Sequence, residues 1–419
     1  MEKRLVTRFL LCLNFLALFI YPFTPSLDAN TWRLLLYSSI NTFSLVYISS
    51  DSNLSNLLFK TLRSKISISI LCFIAWGLLS AIYATNSNEV FIRSFSFFNF
   101  YFSFLTLYVF IKFNKFRGYY IGLFLSLIVV LQLAYSYNMF FQISSVTKYD
   151  FSFNDLLKGV FPNRNITAAI YLYQLPFLIY LILKSKSNLL KIVSALSALA
   201  VLFMIFLMSA RTSYVVLSVL LLFYLIIFII SANKKIVSFF GIFTSSLILS
   251  FFLSSFSLGF DNSAHAVNRI NSIDFQEEST NTRLRYYQYG IDQIIKNPIL
   301  GVGLGNWKIE SIERDKENII SYIIPYTMHN DFLEVGAELG ILGLVFYLSI
   351  FFFALISLYK HFIKNKQDPY IIALISIFIV YLVDANINFP FIRASQQFYL
   401  ALFLALTLYI KNISHEDNN

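Results

Sequence analysis

A histidine and three carboxylates stand where one hydrophobic segment of the sequence begins, in the stretch MHNDFLEVGAELGILG. His329 can accept a proton near neutral pH, which is what the activation of a weakly acidic hydroxyl requires. Glu338 lies nine residues further on, and a carboxylate in hydrocarbon usually faces a bundle interior or a wet cavity. The stretch therefore indicates proton transfer at a membrane boundary. A histidine that only hydrogen-bonds a headgroup or a loop is the structural alternative.

Arginines beside other hydrophobic segments are candidates for binding an anion. Arg211 lies in the short turn SART between two apolar segments, and Arg283 and Arg285 open the stretch RLRYYQYGIDQIIKNP. A cation at a helix start is disfavoured, and both helix N-termini and arginine forks suit phosphate. Arginine could therefore stabilise an anionic leaving group. Lipid headgroups or acidic residues of the same loop are the alternative partners.

Two further polar stretches flank hydrophobic segments. GVFPNRN carries Asn163, Arg164 and Asn165, and its asparagine amides could bind sugar hydroxyls or cap the helix that follows. DANINFPFIRASQQ carries Asp384 and Arg393, for which a structural ion pair is expected. The sequence has no Asp-x-Asp pair, no cluster of Cys and His and no Walker-type loop. Metal and ATP chemistry therefore have no motif in it.

Membrane helices must position these residues. Hydrophobic residues make up 58% of the 419 residues and charged residues 13%, compared with about 25% charged in soluble domains. Apolar runs of about 18 to 24 residues, long enough to cross a hydrocarbon core of about 30 Å, recur along the chain. We predict about twelve membrane spans, which begin near residues 9, 32, 66, 95, 118, 167, 190, 212, 236, 332, 369 and 394.

Basic residues recur in every second loop, a pattern typical of the cytoplasmic side of a membrane. The N- and C-termini are therefore predicted to be cytoplasmic and the candidate residues to lie on the outer side. The net charge of +10 follows from this topology and does not indicate nucleic acid, because the basic residues are spread over separate loops. Cys12 and Cys72 fall within predicted spans, so neither suggests a disulfide or a metal site.

The chain is predicted to form one integral membrane domain in three consecutive parts. Nine spans occupy residues 1–257, a large outer loop occupies 258–330, and three further spans occupy 331–419. A loop of about 73 residues would form only a marginal core by itself. Within it, apolar residues at helical spacing predict an amphipathic helix against the membrane surface. They are Leu284, Tyr287, Ile291, Ile294 and Ile295.

The stretch HNDFLEVGAELGILG resembles the signature of the O-antigen ligase and polymerase superfamily. That signature is a His followed by Asn, Ser or Gln, then nine residues, then Gly-x-x-Gly. The matching residues are His329, Asn330, Gly340 and Gly343. GVFPNRN, SART, TRLRYYQYGIDQII and NPILGVGLGNW resemble further landmarks of the superfamily, in the expected order. The resemblance covers about residues 159–344 and implies an all-α, multi-helix membrane fold of the GT-C type with a large periplasmic loop.

The resemblance implies a glycosyltransferase without metal or cofactor, whose donor is a glycan on undecaprenyl diphosphate at the periplasmic face of the bacterial inner membrane. By this resemblance His329 is the general base, and Arg211 and Arg283 hold the diphosphate as it leaves. Arg285 competes for the position given to Arg283, which is favoured because Tyr287 then occupies the aromatic position of the motif. Substrate contacts are expected from Asn163, Arg164, Asn165, Arg285, Asn330 and Glu338.

Three functions remain open at this point. A ligase passes the glycan to lipid A-core, whereas a polymerase passes it to a second lipid-linked glycan, and both use the same chemistry. A lipid-linked glycan flippase is the alternative without catalysis, and it predicts two halves of similar pattern. The polar outer residues of this chain are concentrated in its second half, which favours an enzyme. Membrane lipids and the lipid-linked glycan are the expected partners, and nucleic acid is not.

Overall fold

The computed structural model describes residues 2–20, 28–116, 118–231, 233–259, 261–271, 278–319, 326–364 and 368–416. All regular secondary structure in these ranges is helical. In chain order the helices are α1 (Glu2–Leu16), α2 (Ala29–Ser49), α3 (Ser52–Leu62), α4 (Lys65–Leu79), α5 (Ser87–Asn114), α6 (Gly118–Val146), α7 (Arg164–Lys184), α8 (Asn188–Met208), α9 (Arg211–Ser231), α10 (Lys234–Leu258), α11 (Ala266–Asn271), α12 (Glu278–Lys296), α13 (Trp307–Asp315), α14 (Asp331–Lys364), α15 (Pro369–Ile387) and α16 (Ala394–Glu416). The predicted all-α fold is confirmed.

Nine helices of the described chain are long and apolar enough to cross a membrane. They are α4 to α10, α14 and α15, so the protein is a multi-pass membrane protein. The other three predicted spans correspond to α1, α2 and α16. Of these, α1 has only 15 residues, and the apolar part of α16 ends at Ile410. The total of twelve spans, the sides on which the termini lie and the position of the large loop therefore stay predictions.

Two helices form the centre of the bundle. Along α5 and α7, 83% and 89% of the apolar segment is buried, whereas only 22% of α10 is. α7 packs against α6, α8 and α15, and α5 packs against α2, α4 and α16. The ends of these enclosed helices are therefore held from several sides, which suits residues that must keep a fixed geometry.

α14 is broken at Gly340, whose backbone φ is +64°. Hydrogen bonds from other parts of the chain replace those that the break removes: Val302 N to Ala337 O at 3.1 Å, Gly303 N to Glu338 O at 2.7 Å, Ile341 N to Pro298 O at 2.8 Å and Trp76 Nε1 to Leu339 O at 3.0 Å. Because an exposed backbone carbonyl or amide is costly in hydrocarbon, these bonds make the break tolerable. The glycine-rich loop 298–305 is thereby fixed to α14.

α12 has the helical conformation predicted for the amphipathic segment. One face is turned inward through Tyr286, Gly290 and Gln293, while Leu284 and Ile295 are exposed. The apolar exposed side chains fit a membrane-facing surface, and that location remains a prediction. The inward face of α12 packs against α14, which brings α12 next to His329.

Candidate active site

His329 lies immediately before α14 in a backbone conformation that non-glycine residues rarely adopt, with φ of +60°. Such a conformation costs on the order of 1–3 kcal/mol and persists only where its surroundings impose it. The hydroxyl of Tyr287 on α12 donates to His329 O at 3.1 Å, and Met328 N donates to a carboxylate oxygen of Glu334 at 2.8 Å. Asn330 Oδ1 accepts from two backbone amides of the first turn of α14. The position of His329 is thus fixed from both sides.

The ring of His329 lines a cavity of about 70 Å³. The cavity is formed by Asn163, Asn165, Ile166, His329, Asn388, Phe389 and Gln396. Pockets that enclose a whole small ligand measure about 300–1,000 Å³, so this one fits a hydroxyl group or water and not a sugar ring. The His329 ring meets the Phe389 ring edge-on, with centroids 4.9 Å apart. Neither ring nitrogen of His329 hydrogen-bonds to a described residue, and Nδ1 is buried.

Two arginines act on His329 through their charge. Burial, together with the positive charges of Arg283 and Arg393, lowers the pKa of His329 to about 4. The imidazole is therefore neutral at pH 7, which is the protonation state that a general base needs. Arg283 reaches this position from α12, one helical turn before Tyr287.

Arg285 points to a different partner from Arg283. Its guanidinium forms a two-pronged ion pair with Asp315 at the end of α13, at 2.6 Å and 3.1 Å. The hydrogen bond to Asp315 raises the pKa of Arg285. Arg285 is thus paired with Asp315, whereas the charge of Arg283 acts on His329, and the role of either arginine toward a substrate stays a prediction.

The other predicted site residues fall into two groups. Asn163 and Asn165 line the cavity, and Asn163 also caps α7 by accepting from Ile166 N at 3.0 Å. Arg164 and Arg211 begin α7 and α9, and neither is among the residues lining this cavity in the described chain. The guanidinium of Arg164 lies 4.5 Å from the ring centroid of Phe151 and 3.6 Å from a carboxylate oxygen of Asp155.

Asn330 and Glu338 have partners inside the protein. The Nδ2 group of Asn330 donates to Asn386 O at 3.3 Å, in addition to its capping role. Glu338 is 1% exposed, and its Oε1 accepts from Trp307 N at the start of α13 at 3.0 Å. These contacts fit a role in positioning α13 and the turn that carries His329. Both side chains are thus held by structural contacts, and substrate binding by them stays a prediction.

The expected ion pair between Asp384 and Arg393 is wrong. Asp384 is buried and accepts hydrogen bonds from Tyr173 Oη at 2.9 Å, Gln396 Nε2 at 2.6 Å and Asn388 Nδ2 at 2.6 Å. Neutral donors therefore satisfy its carboxylate. The guanidinium of Arg393 lies instead 4.5 Å from the ring centroid of Phe389.

Three residues that the motifs did not indicate also line the cavity, namely Asn388, Phe389 and Gln396. Asn388 and Phe389 lie in the turn between α15 and α16, and Gln396 lies in the first turn of α16, all within the stretch DANINFPFIRASQQ. The sequence does contain a signal for a polar site here, because several amide side chains between two apolar helices are unusual in a segment that faces lipid. The acidic and basic residues of the same stretch predict only an ion pair.

Residues 167–348 match the family model described as O-antigen ligase. This range runs from α7 into α14 and contains Arg211, Arg283 and His329. These residues belong to the O-antigen ligase family. The family predicted from the HNDFLEVGAELGILG stretch is confirmed, and its members are glycosyltransferase-like enzymes that process lipid-linked glycans. Comparison with curated proteins finds no match.

The O-antigen ligase region supplies only part of the cavity. Of the described residues that line it, His329 alone lies within 167–348. The remaining six come from the segment just before this region, from the turn between α15 and α16 and from the first turn of α16. The O-antigen ligase region therefore carries the candidate base, and flanking parts of the chain form most of the wall around it.

Proposed function

We propose that the protein is an O-antigen ligase-type glycosyltransferase that moves a glycan from undecaprenyl diphosphate onto a sugar hydroxyl of lipid A-core. The reaction takes place at the periplasmic face of the inner membrane. One observation carries the proposal: the neutral, unbonded ring of His329 lines a cavity together with Asn163 and Asn165, within electrostatic reach of Arg283. In this proposal His329 is the base, the amides of Asn163 and Asn165 hold the acceptor hydroxyl, and Arg283 holds the phosphate.

His329 accepts the proton of the acceptor hydroxyl as the hydroxyl oxygen bonds to the anomeric carbon of the donor. The bond between that carbon and the diphosphate oxygen breaks, and its electron pair leaves with the diphosphate. Attack from the side opposite the leaving group inverts the anomeric centre. Proton transfer to a positioned base contributes about 10²–10⁴-fold in rate.

Arginine charge stabilises the departing diphosphate in this proposal. Arg283 is close enough to His329 to affect its pKa, and Arg211 contributes a second guanidinium from the start of α9. Guanidinium groups bind phosphate oxygens in pairs and remain charged at all physiological pH values. We therefore expect transfer to continue in the presence of EDTA.

The test of the proposal is a transfer assay with the purified protein and lipid-linked repeat units, with and without lipid A-core. Product that forms only when lipid A-core is added supports the ligase. Longer lipid-linked chains without lipid A-core would mean that the protein is a polymerase. If no glycan is transferred to either acceptor, the enzyme proposal fails, and movement of the lipid-linked glycan across vesicle membranes becomes the assay to run.

The pH dependence of kcat/KM should reflect the low pKa of His329. A base works in its unprotonated form, so activity is lost as the pH falls through the pKa of the free enzyme. With a pKa of about 4, kcat/KM should be nearly constant from about pH 6 to pH 8 and fall only near pH 4. A histidine with an ordinary pKa of about 6.5 would lose about three-quarters of its activity at pH 6, and this result would contradict the assignment.

Replacing Tyr287 with phenylalanine should lower kcat by about two- to tenfold with little change in KM. The variant loses the hydrogen bond to His329 O, and a typical neutral hydrogen bond contributes about 0.5–1.5 kcal/mol. Tyr289→Phe is the matched control, because Tyr289 lies on the same helix with its hydroxyl directed at Asp315. Equal effects of the two substitutions would contradict a specific role for Tyr287 in positioning the base.

A further inference from the structure

Arg393 and His329, the candidate base, both contact the ring of Phe389. Arg393 follows the short 3-10 turn Pro390–Ile392 and precedes α16. Its guanidinium lies 4.5 Å from the centroid of the Phe389 ring, and the edge of that ring meets the ring of His329. The charge of Arg393 acts on His329 from the side of α16, while Arg283 acts on it from α12.

The guanidinium of Arg393 makes no hydrogen bond or ion pair with the described part of the chain, and its Nε is buried. Burial lowers the pKa of this group, although an arginine stays charged. Asp28 attracts it only at longer range, since that carboxylate caps α2 through Asn30 N and Thr31. Arg393 is partly buried, and its guanidinium has an aromatic ring but no carboxylate in contact within the described chain. Removing a charge from water without an ionic partner is unfavourable, so Arg393 is a candidate for binding an anion that is not part of the protein.

Acidic groups around His329 accept hydrogen bonds from other parts of the chain. On α14, Asp331 accepts from Phe391 N at 3.1 Å, and Glu334 accepts from Met328 N. On α15, Asp384 accepts three hydrogen bonds from neutral donors. From α12, Tyr287 bonds His329 through a neutral hydroxyl. The charges that act on the His329 ring are those of Arg283 and Arg393.

We propose that Arg393 binds a phosphate group of the lipid-linked substrate beside His329 and shares its negative charge with Arg283. This inference rests on the proposed function, because the phosphate arrives with a substrate of glycan transfer. The phosphate has two possible sources, the diphosphate of the donor and a phosphate on the acceptor. In both cases the anion offsets the positive charge of Arg93, which acts on Arg393 in the free protein.

A bound phosphate would also strengthen the base. Its negative charge offsets the two cations that hold the pKa of His329 down, so His329 has a higher proton affinity in the complex than in the free protein. The acid limb of kcat, which reports the complex, should therefore lie at higher pH than the acid limb of kcat/KM, which reports the free protein. The Arg393→Gln substitution removes one of the charges that lower the pKa of His329, so the acid limb of kcat/KM should move to higher pH.

The test uses the purified full-length protein and measures the Kd of undecaprenyl diphosphate, the KM of lipid A-core and both pH profiles. For Arg393→Gln we expect the Kd or the KM to rise by about 10- to 100-fold, because hydrogen bonds to a charged group are lost. Arg393→Lys keeps the charge without the fork and should lose less. Arg8→Gln is the matched control, since Arg8 also lies over a phenylalanine ring, at 5.5 Å from Phe116, far from His329 in sequence and in packing.

The outcomes separate the possibilities. A raised Kd for undecaprenyl diphosphate supports the donor as the source, and a raised KM for lipid A-core with an unchanged Kd supports the acceptor. If neither constant changes and the limb of kcat/KM stays in place, Arg393 has only a structural role and the proposal is wrong. If Arg393→Gln does not fold, the Kd of undecaprenyl diphosphate and the KM of lipid A-core are measured with Arg393→Lys, and these values decide between the same outcomes. Wild-type protein that transfers no glycan would instead contradict the proposed function.

Discussion

Replacing His329 with alanine should reduce the rate of glycan transfer by about 10²–10⁴-fold while leaving the protein folded. The reason is that the acceptor hydroxyl loses the group that takes its proton. The ring makes no hydrogen bond within the described chain, so its removal disturbs little beyond the contact with Phe389. Transfer by equal amounts of folded wild-type protein and variant, measured under single-turnover conditions, checks the prediction.

His265→Ala is the matched control for this experiment. His265 is also buried, and its Nε2 lies 2.8 Å from Ser255 Oγ while its Nδ1 accepts from Val267 N. Its loss should lower the melting temperature, because hydrogen bonds disappear, and leave the rate per folded molecule unchanged. If His329→Ala retained the wild-type rate, or if both substitutions slowed transfer equally, His329 would not be the base.

Replacing Gly340 with alanine should destabilise the protein by about 2–6 kcal/mol. The φ of +64° and ψ of −168° form a combination that is essentially restricted to glycine and costs another residue about 1–3 kcal/mol. An added Cβ would also lie 2.2 Å from Ile299 O and 2.4 Å from Ile299 C, which are backbone atoms of the loop fixed to α14. Displacing that loop costs a further 1–3 kcal/mol, roughly the penalty for overpacking. Thermal unfolding in detergent, followed by tryptophan fluorescence, measures the effect.

Gly336→Ala provides the comparison on the same helix. Its Cβ would meet side-chain atoms and no backbone, with Ile294 Cδ1 at 2.9 Å and Ile294 Cγ1 at 3.4 Å, and its backbone conformation is helical. This substitution should therefore lower the melting temperature far less than Gly340→Ala. Equal melting temperatures for the two variants would mean that the break at Gly340 does not depend on glycine.

Much of the fold could be predicted because hydrophobic length is a local property. Each apolar run that predicts a membrane span corresponds to a helix, and the spacing of apolar residues from Leu284 to Ile295 predicts α12. The break in α14 could not be predicted in this way. GAELGILG has the pattern of an ordinary packed helix, and Gly340 adopts its conformation only because the 298–303 loop supplies hydrogen bonds from a distant part of the chain.

The candidate site could be predicted in part. Motif spacing pointed to His329 and to Arg283 rather than Arg285; the charge of Arg283 acts on His329 while Arg285 pairs with Asp315, and their roles in the reaction stay predictions. The pairing of Arg285 with Asp315 and the enclosure of Arg393 depend on how separate helices meet, which spacing along the sequence does not encode. For the same reason, the sequence between α15 and α16 predicts an ion pair and does not show that this turn forms a wall of the cavity.

The most direct measurement of the central claim is a cryo-electron microscopy structure of the protein with bound undecaprenyl diphosphate. A base on one face of the sugar and a leaving group on the other lie several bond lengths apart. We therefore expect a phosphate in contact with Arg283 and within about 10 Å of the His329 ring. A diphosphate bound more than about 15 Å from His329, with no contact to Arg283, would contradict it, because no acceptor hydroxyl could then reach both the base and the anomeric carbon.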